Sequence, residues 1–257
     1  MKARTIVFIH GMYMTPLCWE QWVDYFQQKG FECVAPAWPG RDKPVSELRE
    51  SQPDPQLGKL TLSAVVEAMA GSTKSLKEKP ILIGHSMGGL VVQLLLQGNL
   101  AAAGVAIDSA PPMGVFTTEW SFLNSNWPHI TPFVSLDSPI EMTFDRFQYT
   151  FVNTLPFEEQ REAYKKYVVP ESRRVPRESL TAAIDFKKSH PPLLLVAGAE
   201  DHIIPASLNK TNYEKYLQSG SITDYKEFAG RTHFIIGQPS WQEVADYVLN
   251  WINSTPD

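Results

Sequence analysis

Cysteine is nearly absent. The 257 residues hold two, Cys18 and Cys33. Two thiols cannot build a disulfide framework, and neither sits at a spacing that would hold a metal. Runs of like charge are absent too. Lys and Arg number 23 against 28 Asp and Glu, a net charge of −5, so no nucleic-acid surface is expected. Charged residues make up only 20% of the chain and hydrophobic ones 43%, which is too apolar for a disordered protein. The apolar run that begins at Thr5 is short and has no small-residue cleavage site after it, so no targeting segment is expected. Residues 80–107 carry no formal charge with His85 neutral, long enough to span a bilayer. Gly84, His85, Ser86, Gln93, Gln97, Gly98 and Asn99 interrupt that stretch, and a buried strand–helix–strand explains it better. The expectation is a soluble, cytoplasmic protein without a membrane partner.

What is present is an alternation of strand and helix. Short β-branched or aliphatic runs at 5–9, 32–35, 81–83, 104–107, 193–197 and 222–228 read as strands. Helical spacing covers 16–29, 60–70 (stopped by Gly71), 87–97 and 240–251. Residues 40–57, charged and containing proline, read as a surface loop. Such alternation predicts a mostly parallel sheet covered by helices on both faces. Between Asp108 and Arg177 the alternation breaks into a stretch rich in aromatics and proline, including Trp120, Phe122, Trp127, Phe147 and Phe151. The expected organisation is an α/β core of residues 1–110 and 178–257 with a helical cap insertion at 111–177.

The strongest chemical signal is Gly84-His85-Ser86-Met87-Gly88, directly after one strand and directly before one helix. The glycines let strand and helix approach, which forces the serine outward at the carboxyl end of the sheet, near the positive end of a helix dipole. A serine hydroxyl is a weak nucleophile and needs a base held by a third group. Of the six histidines, His233 is the best placed, in a loop between the last strand and the last helix. Asp201 follows the 193–197 strand and is favoured as the orienting acid; Asp108, after the 104–107 strand, is its competitor, and Glu200 points elsewhere. Acyl transfer also needs donors for a developing oxyanion. The backbone N–H of Met87 is one, and that of Met12, in the His10-Gly11-Met12-Tyr13 loop, is the second, with Gly11 letting the loop turn close to Ser86.

In these residues the chain resembles the α/β-hydrolase superfamily. The resemblance rests on the His10-Gly11 loop, the Ser86 turn, Gly198-x-x-Asp201 with Pro205 behind it, and His233. It is similar to compact esterase-like members with a helical cap, and its first strand matches the family's third, so the amino-terminal hairpin is lacking. The resemblance implies Ser86 as nucleophile, Asp201 as acid and His233 as base. Dehalogenases and epoxide hydrolases of the family carry aspartate at the turn, and serine here sets both aside.

The remaining histidines carry other expectations. His10 and His85 lie in motifs where the backbone matters more than the ring, His129 and His190 read as loop residues beside prolines, and His202 lacks partners for a metal. Arg41, Arg146 and Arg231 read as surface arginines. Gly11, Tyr13, Trp38, Trp120 and Trp127, with Met12 and Met87, are expected to line an apolar pocket suited to a small-molecule ester. The implied activity is carboxylic ester hydrolysis through an acyl-serine, with no metal and no cofactor, in a monomer or dimer. The same three residues also support cofactor-free lyase chemistry, carbon–carbon or thioester hydrolysis, and a small-molecule receptor is a further alternative.

Overall fold

The computed structural model of the chain describes residues 3–255. Aliphatic and β-branched runs form strands β1 (Thr5–Ile9), β2 (Glu32–Val34), β3 (Ile81–His85), β4 (Ala103–Ile107), β5 (Leu193–Gly198) and β6 (Thr223–Phe228). They make one six-stranded, all-parallel sheet in the order β2-β1-β3-β4-β5-β6. Helices α1 (Glu20–Gln28), α2 (Val45–Glu50), α3 (Pro55–Lys59), α4 (Leu62–Lys74), α5 (Met87–Gln97), α6 (Trp120–Ile130), α7 (Phe144–Thr150), α8 (Phe157–Tyr167), α9 (Arg174–Ser179), α10 (Ala206–Tyr216) and α11 (Trp241–Ser254) follow in chain order.

Successive side chains of a strand point to opposite faces, and here both faces are buried. Phe8, Ile83, Val105 and Val196 turn to one side, where α1 brings Trp22 and Phe26 and α11 brings Val244, Val248 and Ile252. Val7, Leu82 and Leu195 turn to the other, against Val65 and Met69 of α4 and Leu90 and Val91 of α5. Full burial of each large apolar side chain contributes about 2 kcal/mol, so the two faces of the sheet hold most of the stability. The chain leaves β1 toward β2 on one side and returns to β3 on the other. That reversal opens a crevice at the carboxyl ends of β1 and β3, where α/β sheets bind ligands. The stretch between β4 and β5 contributes α6 to α9 and one isolated antiparallel bridge, Ile140 with Glu171. Among the described residues no helix is long and apolar enough to cross a membrane.

Three local readings are corrected by the fold. Residues 40–57 are not all loop. Asp54 caps α3 at the Gln56 N–H with Pro55 at its first position, and Leu48 of α2 and Leu57 of α3 are buried. Gly71 does not stop α4, which runs on to Lys74 because Thr73 continues the buried face of Leu62, Val65 and Met69. An interior glycine weakens a helix by about 1 kcal/mol without ending it. Helix α10, which sequence reading passed over, buries Asn209 and Asn212 where an apolar stripe would have announced it.

Helix α5 crosses the sheet with no room to spare. A Cβ on Gly88 would stand 2.2 Å from the Ile9 carbonyl oxygen, whereas one on Gly71 would meet nothing within 4 Å. Gly88→Ala is expected to lose about 3 kcal/mol of stability by overpacking, and Gly71→Ala to gain about 1 kcal/mol. Urea unfolding of both variants checks the pair.

Candidate active site

All the candidate groups leave the sheet at its carboxyl edge, a consequence of every strand being parallel. Ser86 follows β3 and has φ 57° and ψ −121°, a left-handed region unfavourable for a side chain. Its N–H donates to the Ile107 carbonyl at 2.9 Å, and its carbonyl accepts from Gly89 and Ala110 at 2.9 and 3.0 Å. These bonds hold a backbone that would otherwise relax. His233, in the loop after β6, lies with Nε2 3.0 Å from Ser86 Oγ and Nδ1 2.6 Å from Asp201 Oδ2. A carboxylate only accepts, so Nδ1 carries the ring proton and Nε2 is free to accept from the serine hydroxyl. The other Asp201 oxygen accepts from the Ile203 and Ile204 N–H groups at 2.7 and 2.9 Å. His233 and Asp201 side chains are fully buried.

Asp108 stands differently. Its Oδ1 accepts from the Gly198 N–H at 2.7 Å, while Oδ2 is buried without a partner. Burial, and next the charge of Asp201, push its carboxyl well above the usual carboxylate range. Of the two acids, Asp201 is therefore the one in contact with His233, and Asp108 is a neutral neighbour. His85 is more than a backbone filler: its Nε2–H donates to the His233 carbonyl at 2.7 Å, and the two rings lie 4.7 Å apart. Burial holds His85 neutral, well below the ordinary histidine range. Phe151 closes the other side, its ring edge-on to His233 at 4.9 Å.

His85, Asp108 and His233 present ligand-type atoms within 4.8 Å of one another. Both His233 nitrogens and His85 Nε2 are already engaged, which leaves His85 Nδ1 and one Asp108 oxygen. Two free donors are fewer than a zinc site uses.

The serine opens into a pocket enclosing about 780 Å³, open solvent at its mouth included. Met12, Tyr13, Met87, Phe122, Phe151 and Ile203 supply much of its wall, and Ser125, Asn126, His129 and Thr150 add polar points. None of the lining side chains is charged, since burial lowers His129 to about 4. Gly11 sits beside the serine: a Cβ there would be 2.8 Å from Ser86 Cβ. The backbone N–H groups of Met12 and Met87 donate to no group among the described residues, so both are unspent beside Ser86.

Three expected lining residues lie elsewhere. Trp38 is buried behind the site, stacked on His10 at 4.6 Å. Trp120 and Trp127 are 76% and 55% exposed, because the phase of α6 sends Phe122, Ser125, Asn126 and His129 inward and these two outward. Arg41 is no surface residue: it is buried in an ion pair with Glu171 at 2.6 Å. His129 belongs to α6 and its Nε2 meets the Tyr13 hydroxyl at 2.5 Å; Pro128 had suggested a loop. His10 uses its ring as well, with Nδ1–H to the Gly11 carbonyl and Nε2 accepting from the Trp38 N–H.

A family model described as the alpha/beta hydrolase family matches residues 6–247, and the chain belongs to that family. No curated protein matches it by sequence. Among solved structures it is similar to tomato methylketone synthase I in complex with 2-tridecanone, at 15% identity and a TM-score of 0.70 over 100% of both chains. A methylesterase from Arabidopsis is 14% identical with a TM-score of 0.70, covering 98% of this chain and 99% of that one. A pyrethroid hydrolase from Sphingobium faniae is 16% identical with a TM-score of 0.67, over 98% of each. At such identities the likeness is one of fold.

The neutral Asp108 gives a pH prediction. A carboxyl whose folded pKa is raised binds its proton more tightly when folded, so it costs stability once the pH exceeds its unfolded value of 3.8. Asp108→Asn keeps an acceptor for Gly198 and has no proton to lose. Its stability relative to the parent is expected to rise as pH increases from about 4 toward 7. Thermal unfolding across that range tests the sign, and a relative stability that falls with pH contradicts it.

Proposed function

We propose that this protein hydrolyses carboxylic esters of small to medium, largely apolar substrates through an acyl-serine intermediate. The observation that carries the reading is the chain of hydrogen bonds from Ser86 through His233 to Asp201, opening into an uncharged pocket. His233 takes the Ser86 proton as Oγ attacks the ester carbonyl. The Met12 and Met87 amides receive the oxyanion, a contribution of about 3 kcal/mol per donor in comparable enzymes. His233 then protonates the leaving alcohol, and water activated by the same ring releases the acid. Asp201 keeps the proton on Nδ1 and stabilises the imidazolium that forms. Gly11 admits the loop close to the serine, and Tyr13 forms part of the substrate wall.

An uncharged, largely apolar wall suits a neutral ester. A phosphate or polyanion would be desolvated there without a cation to receive it. The names methylesterase and pyrethroid hydrolase among proteins of this fold favour the same class. Every step is carried by side chains and amides of the chain itself, so the reaction calls on no metal or cofactor.

A fluorophosphonate probe is expected to label Ser86, and a p-nitrophenyl ester series of increasing acyl length to show turnover that sizes the pocket. Ser86→Ala should abolish both while leaving the unfolding temperature nearly unchanged. Asp201→Asn should lower kcat by about 10³–10⁴-fold, because the wrong ring nitrogen then carries the proton, and Asp108→Asn by less than about tenfold. EDTA should leave the rate unaltered. Ester turnover surviving in Ser86→Ala overturns the assignment.

A further inference from the structure

Tyr13 occupies the left-handed region, φ 63°, although it is neither glycine nor asparagine. A conformation of that kind persists only where its surroundings determine it. Three contacts do so here. The Tyr13 N–H donates to Glu171 Oε2 at 3.1 Å, its carbonyl accepts from the Val169 N–H at 2.9 Å, and its hydroxyl meets His129. All three partners lie in the stretch between β4 and β5, more than a hundred residues away.

Glu171 is the centre of this clamp. Its other oxygen faces the Arg41 guanidinium at 2.6 Å and accepts from the Ser172 N–H at 2.7 Å, with both charged side chains essentially inaccessible to water. Its backbone is fixed in turn by paired bonds with Ile140. Arg41 donates its N–H to the Trp38 carbonyl, and Trp38 donates its own to His10 Nε2. Polar contacts thus run in a closed circuit from His10, through Trp38, Arg41 and Glu171, to Tyr13. The loop that carries Met12 is held at both ends by this circuit, with the unspent Met12 N–H between them.

We propose that Glu171, paired with Arg41, is a positioning residue for ester hydrolysis: it holds Tyr13 left-handed and so fixes the direction of the Met12 N–H. The inference rests on the reading of Met12 as an oxyanion donor. Burying two charges is costly unless they are paired and hydrogen-bonded, and a merely structural link could be made with apolar residues. What an apolar link cannot supply is an acceptor for the Tyr13 amide in a fixed place.

The test compares the full-length protein with Tyr13→Gly, with the double variant and with Glu171→Gln, whose single carbonyl oxygen stays with Arg41 and the Ser172 N–H while its NH2 group, a donor, faces the Tyr13 N–H. The readouts are kcat and KM on p-nitrophenyl butyrate, affinity for a trifluoromethyl ketone that adds to Ser86 as a tetrahedral mimic, and hydrogen exchange of the peptide covering Met12 and Tyr13. Glu171→Gln should lower kcat about 10–100-fold, with KM within about threefold. Ketone affinity should fall in parallel and exchange should quicken. In the Tyr13→Gly background the same substitution should cost less than about threefold, because glycine adopts a positive φ without help. Equal costs in both backgrounds overturn the proposal, as does a variant that loses only thermal stability while kcat per folded molecule and ketone affinity hold. Should Glu171→Gln fail to fold, Arg41→Lys, which keeps the charge but shifts it, carries the same comparison. A parent protein that neither labels with fluorophosphonate nor turns over esters defeats the ester reading alone. The exchange measurement then decides the clamp, and unchanged exchange in Glu171→Gln sinks it.

Discussion

The backbone of Ser86 is the constraint on which the site depends. A serine at φ 57° and ψ −121° carries strain of about 1–3 kcal/mol. The surroundings hold it there with a donor bond to β4, acceptor bonds from Gly89 and Ala110, and a helix that begins at the next residue. That helix can begin so abruptly only because Gly88 lets it touch the end of β1. The same closeness brings the loop after β1, through Gly11, against the serine's Cβ. Ser86, the loop that carries Met12 and the N-terminus of α5 therefore share one small volume at the point where the strand order reverses. The parallel sheet delivers Asp201 and His233 to the same edge.

Charge in this small volume is kept to a minimum. Asp201 is supported by two backbone amides and the ring of His233. Asp108, lacking such support on one oxygen, is held neutral by burial and by Asp201. His85 and His10 are neutral as well, the latter lowered to about 3 by burial. In the proposed reaction, a proton passing from Ser86 to His233 finds the Asp201 carboxylate on the far side of the ring. Among the described residues, the other buried charged side chains are Arg41 and Glu171, which pair with each other behind the loop that carries Met12. The pocket itself presents amides, hydroxyls and apolar groups, which fits the neutral ester proposed for it.

How far the sequence could be read followed from how local each signal was. The strands showed themselves because both faces of a parallel sheet are buried, so each is a short continuous apolar run such as residues 193–197. Ser86 was legible because its glycines, its strand and its helix lie within a few residues. Asp201 and His233 were legible as residues that follow strands, although nothing local told Asp201 from Asp108; the two differ in which amides reach them after folding. Trp38, Trp120 and Trp127 were misplaced because composition says nothing of helix phase or of which face of a loop packs inward. Helices α2, α3 and α10 lacked an apolar stripe, the first two for want of length and the third because it buries asparagines. The Arg41–Glu171 pair and the bond between Tyr13 and His129 left no trace in sequence at all, since partners more than a hundred positions apart meet only in the folded chain.

The most direct measurement of the central claim is rapid-quench mass spectrometry of the protein mixed with a p-nitrophenyl ester its pocket accepts. The account predicts a transient adduct of the acyl mass, mapped to the peptide containing Ser86. It should form with the p-nitrophenol burst, decay at the turnover rate, and be absent when Ser86 is replaced by alanine. Steady release of acid with no acyl adduct on that peptide at any quench time, under conditions where acyl transfer to serine is faster than its hydrolysis, would contradict it.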